Sequence, residues 1–513
     1  REIALRHGAR GYFEEAVIRQ AEAVGQEQDA AAEFERIKER APDLKIEDLG
    51  DLPFVTIDPV GAGDLDDAFY IEKHADGGFT WYLATADVAQ YVPPGTPAFR
   101  AAARIGNTFY SIDKAGVPEY PMNHPVVSKY VASLLAGKDS LAMITRMRFG
   151  PNGEFLKDES EVFLGKVRVQ GRYTYDQVVE LWKGREGHGV EHLEQVALAR
   201  ELASTLNEKD AARGKLALKF QQIAHSPQED GSWRTDVVKE DPLTSESHKL
   251  IEELKVYGNR GIASVLERIS EEYGVPHISR VHPEQEESVN KRLRKELQKI
   301  GVTWRKDETL WDFLRRLQER EDLSPETKEV AQILALRTRT TAKYQTADAE
   351  GHEGLALEAG LYDHPSTPIR RFADMYNRAL LEAYLEGGDP RAIYETVLAD
   401  LTDMGFHGLD EYMTHLNGRE AASKLMDREV GGFMSVYELA KPEHRGKTYG
   451  GYVKLMREGR DPMAVIQLRE IPVTITLQGP EAADLKLLAE LEVTIKGADP
   501  ARLKVDADFK KVR

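Results

Sequence analysis

The chain has 513 residues, which suggests two to four domains, and its 41% apolar content is enough for a sizeable core. It contains no cysteine, which removes disulfides, Cys-ligated zinc and thiol chemistry and fits a cytoplasmic setting; no apolar run approaches the ~18 residues of a membrane span and no signal peptide is visible, so no membrane partner is expected. A net charge of −18 argues against a protein that binds nucleic acid through a basic outer surface, but not against an enzyme that hides its substrate in a local basic channel.

Residues 1–45 read as helical, because 13–18 and 30–37 carry apolar residues at helical spacing. The piece is too short for an independent enzyme. With Arg1 in first place, it reads as the trimmed remnant of a larger N-terminal module. Residues 54–57 are β-branched and aromatic and predict a strand; 68–71 predict a second. Between them the chain must turn at Pro59, Gly61 and Gly63, and this turn carries Asp58, Asp64, Asp66 and Asp67 within ten residues. Four ionised carboxylates at that range repel one another unless a cation joins them. Hard oxygen ligands suit Mg²⁺, with Mn²⁺ as a substitute, and the matching chemistry is metal-assisted phosphoryl transfer. The alternative is a solvated Asp-rich turn, against which stand the two apolar strands that flank it. An EF-hand does not fit, since Asp64 and Asp66 lack the third ligand, central Gly and closing Glu at their offsets, and Gly61 with Gly63 is no dinucleotide fingerprint.

Further on, 75–78 is a turn and 79–88 a buried strand ending near Asp87. Thr96 and Pro97 open a helix as N-cap and first-turn residue, 107–111 is extended, and 141–149 and 161–169 are strands. The next stretch is mostly helical, with clear cases at 191–209, 246–269 and 310–321, and another helix opened by Ser324 and Pro325. Residues 283–301 begin acidic and end basic (Arg292, Arg294, Lys295, Lys299), which complements a helix dipole and reads as structural rather than as an RNA patch. Strands at 449–456, 463–468, 471–477, 491–495 and 503–505 suggest a small OB-type barrel at the C-terminus. The fold class is therefore α+β, with a short helical N-terminal segment (1–45), a central domain that is β-rich in its first half and helical in its second (46–438), and a small C-terminal OB-type barrel (439–513).

A second constellation runs from His364 to Met375 and contains Pro365, Pro368, Arg370, Arg371 and Asp374. Guanidinium groups bind phosphate bidentately and keep their charge. Adjacent arginines point to different sides, so one can face a site while the other pairs with Asp374. The alternative is a surface ion pair at a helix start.

Together, these pieces make the chain from about 45 to 430 resemble the catalytic domain of the ribonuclease II (RNB) family. The matching stretches come in the family's order: Asp43-Leu44; Thr56-Ile57-Asp58 with Asp64-Leu65-Asp66-Asp67-Ala68; Ala86-Asp87-Val88-Ala89-Gln90-Tyr91-Val92; Pro121-Met122; Ser133-Leu134-Leu135; Ile251-Glu252-Glu253 with Asn259; Arg280-Val281-His282; Gly351-His352 with Gly354-Leu355-Ala356-Leu357; and Thr367-Pro368-Ile369-Arg370-Arg371-Phe372. The resemblance implies a hydrolytic 3′-to-5′ exoribonuclease that threads single-stranded RNA into a narrow channel and releases nucleoside 5′-monophosphates, with no obligate protein partner. It implies that Asp58, Asp64, Asp66 and Asp67 hold Mg²⁺, that Asp66 and Arg370 carry catalysis, and that Arg370 contacts the scissile phosphate. Tyr110 falls at the tyrosine that stacks near the 3′ end, Tyr175 and Glu252 at contacts to the RNA's sugars, and Phe220 at the aromatic that clamps the 3′ bases. Stacking on aromatic faces tolerates any base, which suits a sequence-independent enzyme; taken singly, each aromatic is more often a core residue.

The chain departs from the family pattern in several places. The cold-shock OB pair usual at the family's N-terminus is not expected in these residues, Glu353 stands where Phe is common, and Ser366-Thr367 reverses the usual order. Two other classes fit parts of the sequence. One is an RNA-binding regulator on a dead exonuclease fold, but dead members lose carboxylates and all four remain here. The other is a metal-dependent glycosyltransferase using Asp64 and Asp66, against which the Arg370 stretch and the ordered match speak.

Overall fold

The N-terminal segment folds into α1 (Glu2–Arg6), α2 (Glu15–Glu27) and α3 (Ala30–Arg40). Asp29 caps α3 by accepting from the amides of Ala31 and Ala32. The stripe Val17, Ala21, Phe34 and Ile37 is buried in one core with Phe54, Ala84 and Leu141 of the sheet that follows. The computed structural model describes residues 2–512 except 28, 111–119, 186–191, 214–221, 229, 239–240, 282–285, 338–341, 347–362 and 364.

Six strands come next: β1 (Ile46–Asp48), β2 (Phe54–Asp58), β3 (Asp67–Lys73), β4 (Phe79–Ala86), β5 (Asp139–Phe149) and β6 (Glu161–Thr174). β2 to β5 form an antiparallel meander. The first half of β6 pairs antiparallel with β5 and its second half pairs parallel with β2, which closes a five-stranded barrel, while β1 only extends the β2 side. A strand shared in this way needs room at its corner. A Cβ on Gly165 would lie 2.8 Å from Ile144 Cγ1 and 3.2 Å from the Glu47 carbonyl oxygen, so only glycine fits there.

Helices surround the barrel: α4 (Pro97–Ile105), α5 (Tyr175–Trp182), α6 (Leu193–Arg213) and the long α7 (Pro242–Tyr273). Leu250, Leu254 and Tyr257 of α7 bury against Trp81, Leu83 and Phe149 of the barrel. Two small two-stranded antiparallel sheets interrupt the helices: the hairpin of β7 (Gln222–Pro227) with β8 (Trp233–Val238), and β9 (Ile278–Val281) paired with the distant β10 (Lys343–Thr346). α8 (Glu287–Lys299), α9 (Leu310–Glu319) and α10 (Pro325–Arg337) share a separate core around Leu297, Trp304 and Phe313. α11 (Phe372–Leu385), α12 (Pro390–Asp403) and α13 (Leu409–Leu439) complete the helical half.

The C-terminal strands correct one expectation. β11 (Thr448–Arg457), β12 (Met463–Leu468), β13 (Thr474–Gln478), β14 (Glu490–Asp499) and β15 (Lys504–Lys511) form an open sheet in the order β13-β12-β11-β14-β15, not an OB-type barrel. The closed barrel lies in the first half of the chain instead. The reason is connectivity: β11 to β13 build outward on one side and β14 with β15 on the other, so the two edges stand a full sheet apart. The end of α13 covers the apolar face, with Leu439 buried among Tyr449, Ile466, Leu491 and Val493. Charged residues Lys504, Asp506, Asp508 and Lys510 along β15 protect its free edge from further pairing.

Candidate active site

The four aspartates stand at the mouth of the barrel because β2 ends in Asp58 and β3 begins at Asp67. The loop between them is pinned at Leu65, which is fully buried. Its amide donates to Ser133 Oγ at 3.0 Å and its carbonyl accepts from the Leu134 amide. The stretch Ser133-Leu134 therefore acts as a buckle that sets where Asp64 and Asp66 project. The Ala86 amide at the end of β4 donates to the Asp66 carbonyl, fixing the other side.

The second constellation meets the loop at Asp66. The Ile369 amide donates to Asp66 Oδ1 at 3.0 Å across 303 residues of sequence, and Arg370 Nε lies 3.6 Å from Asp66 Oδ2. Arg370 is held through its backbone: its carbonyl accepts from the Thr108 amide, and the carbonyl of Ile369 accepts from Asn123 Nδ2 at 2.9 Å. The Asp374 carboxylate accepts from the Thr367 amide and hydroxyl at 2.9 and 2.8 Å, so it ties down the loop, and Arg371 supplies positive charge beside it. Of the two arginines, Arg370 is the one aimed at the aspartates.

The aromatic candidates divide. The Tyr110 hydroxyl donates to Asp64 Oδ2, and Arg370 lies over its ring, 5.9 Å from the centroid. Burial, and then the charge of Asp64, raise the Tyr110 hydroxyl well above its ordinary value, so it stays a donor. Tyr175 follows Thr174, which pairs with Asp58 in the parallel register of β2 and β6; that register brings it to the site. Its ring stacks on His248 at 3.9 Å, so one face is already covered, and burial followed by Asp67 and Asp58 pushes its hydroxyl up. Glu252 sits on an exposed part of α7. Phe220 lies outside the described residues.

One site residue escapes the sequence reading. Lys255, three positions after Glu252 on α7, places Nζ 2.7 Å from Asp67 Oδ1. The only signal for it was its helical spacing from Glu252.

The electrostatics ask for more positive charge. Burial, aided by Asp67, pushes the Asp58 carboxyl up to about 6. Burial pushes Asp66 up to about 7 against the pull of Arg370, with Asp64 adding to the rise. Asp58 Oδ2 is buried with no hydrogen-bond partner among the described residues. A set of hard anionic oxygens with one left unsatisfied fits Mg²⁺ or Mn²⁺. A different grouping was not foreseen: among the described residues Glu438, Glu443 and His444 bring three ligand atoms within 4.8 Å of one another, closer than the loop aspartates stand. Two of its three members already have other partners, since Glu438 Oε2 lies 2.8 Å from Lys441 Nζ and His444 Nδ1 lies 2.5 Å from the Tyr449 hydroxyl.

The RNB domain matches residues 46–387, and the chain belongs to the RNB-domain family. Among curated proteins it is similar to Ribonuclease R of Vibrio parahaemolyticus, 29% identical over 446 residues, covering 83% of this chain and 49% of that protein. It is also similar to Ribonuclease R of Aquifex aeolicus, 30% identical over 382 residues, covering 73% and 52%. The chain thus spans about half the length of these relatives. Its fold is that of Mycoplasma genitalium RNase R, solved in complex with ribose-methylated single-stranded RNA, at a TM-score of 0.79 and 20% identity over 99% of this chain and 77% of the other. No helix among the described residues is long and apolar enough to cross a membrane.

Proposed function

We propose that this protein is a hydrolytic 3′-to-5′ exoribonuclease that degrades single-stranded RNA to nucleoside 5′-monophosphates, using Mg²⁺ on Asp58, Asp64, Asp66 and Asp67. The observation that carries the reading is the meeting at Asp66 of two loops 303 residues apart, one acidic and one bearing Arg370. Family membership and the RNA-bound relative of the same fold support it. The working division of the chain is a helical lead over 1–45, a catalytic unit over 46–438 and a sheet unit over 439–513. In this reading the ion, when bound, supplies Lewis-acid stabilisation at the phosphate. Arg370 faces the same phosphate and neutralises charge that develops as water attacks phosphorus and the bond to the 3′ oxygen breaks. Tyr110 lines the place of the last nucleotide, Phe220 clamps the base stack, and Tyr175 and Glu252 face the sugars. The test is 5′-labelled single-stranded RNA with Mg²⁺ on a sequencing gel. Stepwise shortening with release of 5′-monophosphates is expected, and internal cuts or nucleoside diphosphates would refute the reading.

Protons and the ion compete for the same carboxylates. Without metal, Asp66 and Asp58 keep protons up to about 7 and 6, against an ordinary 3.8 for an aspartate. Their contribution to stability is therefore full below the ordinary value and is lost as pH rises through 6 and 7. Mg²⁺ replaces those protons. It is expected to raise Tm more at pH ~8 than at pH ~6, measured by thermal melts with and without chelator. An equal shift at both values would place the ion elsewhere.

Glu252 is the candidate for choosing RNA over DNA. An ionised carboxylate can accept the 2′-OH proton, and DNA offers no such partner. Because Glu252 is exposed, its preference for RNA is worth no more than one net hydrogen bond, so Glu252→Ala should narrow the RNA-to-DNA rate ratio by roughly tenfold or less. DNA should still bind, as a competitive inhibitor. A lowered Tm with an unchanged ratio would make Glu252 a purely structural helix residue.

A further inference from the structure

The aspartate site has two halves, each with its own cation. On one side Arg370 lies 3.6 Å from Asp66, and Tyr110 bonds to Asp64. On the other, Lys255 Nζ lies 2.7 Å from Asp67 Oδ1, and its charge also reaches Asp58 and Asp66. Lys255 is not on a loop that can drift away. It stands in the middle of α7 between the buried Leu254 and Val256, with Tyr257 packed into the core two residues on, and its own side chain is only 25% exposed. An ammonium is a compact point charge, close in character to a bound metal cation. With all four carboxylates ionised, Arg370 and Lys255 offset two of the negative charges at closest range and Arg172 adds a weaker pull at Asp58, so what remains is no more than one divalent ion supplies.

We propose that Lys255 is a built-in cation of the metal site, taking up one of the charges that its four carboxylates demand, so that the RNA-free protein holds a single divalent ion there. This rests on the reading of the aspartate loop as a metal site. Lys255 is thereby a positioning residue. It holds Asp67, lowers the affinity for the first ion by repulsion, and keeps a second ion out until substrate arrives with its own negative charge.

The test is Mn²⁺ alone, titrated into RNA-free protein and followed by calorimetry and by the electron paramagnetic resonance signal of free Mn²⁺. Glu443→Gln is included in every variant so that the Glu438 group does not contribute an ion. The parent is expected to bind one Mn²⁺. Lys255→Met should bind its first Mn²⁺ about tenfold or more tighter and admit a second. Lys255→Arg keeps the charge and should behave as the parent. Lys255→Gln serves if the methionine variant fails to fold by circular dichroism. If the neutral variants show the parent's stoichiometry and affinity, with or without a lower Tm, the inference is overturned and Lys255 is structural. If the parent binds no Mn²⁺, the metal reading of the loop itself fails, which is a different result from equal binding by parent and variant.

Discussion

Asp66→Asn is expected to cut RNA turnover by about 10²–10³-fold while leaving RNA binding within a few-fold of the parent. Asp66 is the residue on which both loops converge, and its two oxygens have different duties. Oδ1 accepts from the Ile369 amide, while Oδ2 faces Arg370. An asparagine keeps the acceptor for Ile369, so the loop that carries Arg370 stays in place. What it removes is the charge that an ion and the guanidinium would share. The fold should tolerate the change, because a carboxyl that burial drives up to about 7 is itself costly to keep ionised. Single-turnover cleavage, filter binding and a thermal melt check the three parts separately. Weak binding combined with normal turnover at saturating RNA would assign Asp66 to substrate capture and not to chemistry.

Arg370→Met should cost a similar 10²–10³-fold, and the loss should fall on kcat more than on KM. The side chain lies over the Tyr110 ring, and its Nε is buried without a hydrogen-bond partner among the described residues. A guanidinium N–H without a hydrogen bond among the described residues, only 3.6 Å from Asp66, can donate to a phosphate oxygen brought beside the carboxylate cluster. Arg370→Lys keeps the charge but loses the planar fork, so it should recover only part of the rate. Arg371→Met is the informative neighbour. Its charge serves Asp374, which ties down Thr367, so its loss should lower Tm first and rate second. If instead Arg370→Met raises KM and spares kcat, the arginine binds RNA uniformly and does not act in the transition state.

The local pieces of this protein could be read from its residues. The Phe54–Asp58 strand, the Pro and Gly turn and the strand after it follow from β-branched runs and turn formers. That is why the four aspartates could be placed in one short loop. The N-terminal and central helices follow from apolar spacing and from caps such as Thr96, which acts within a few residues. Arg370 stood out because two arginines behind a rigid proline stretch are a local pattern as well. Barrel closure is different. Five strands in a row at the C-terminus looked like a barrel and are an open sheet, whereas the real barrel closes because β6 pairs with β5 at one end and β2 at the other. Strand propensity says where a strand lies, while closure depends on which distant edge it meets. The site behaves in the same way. That Ile369 donates to Asp66, that Tyr110 reaches Asp64, and that Lys255 of α7 faces Asp67 are contacts between segments far apart in the chain. Composition and spacing determine which residues can do chemistry. Only the packing of α7 and α11 against the barrel decides which of them share one charge balance, because Coulomb energy depends on distance in space and is blind to distance along the sequence.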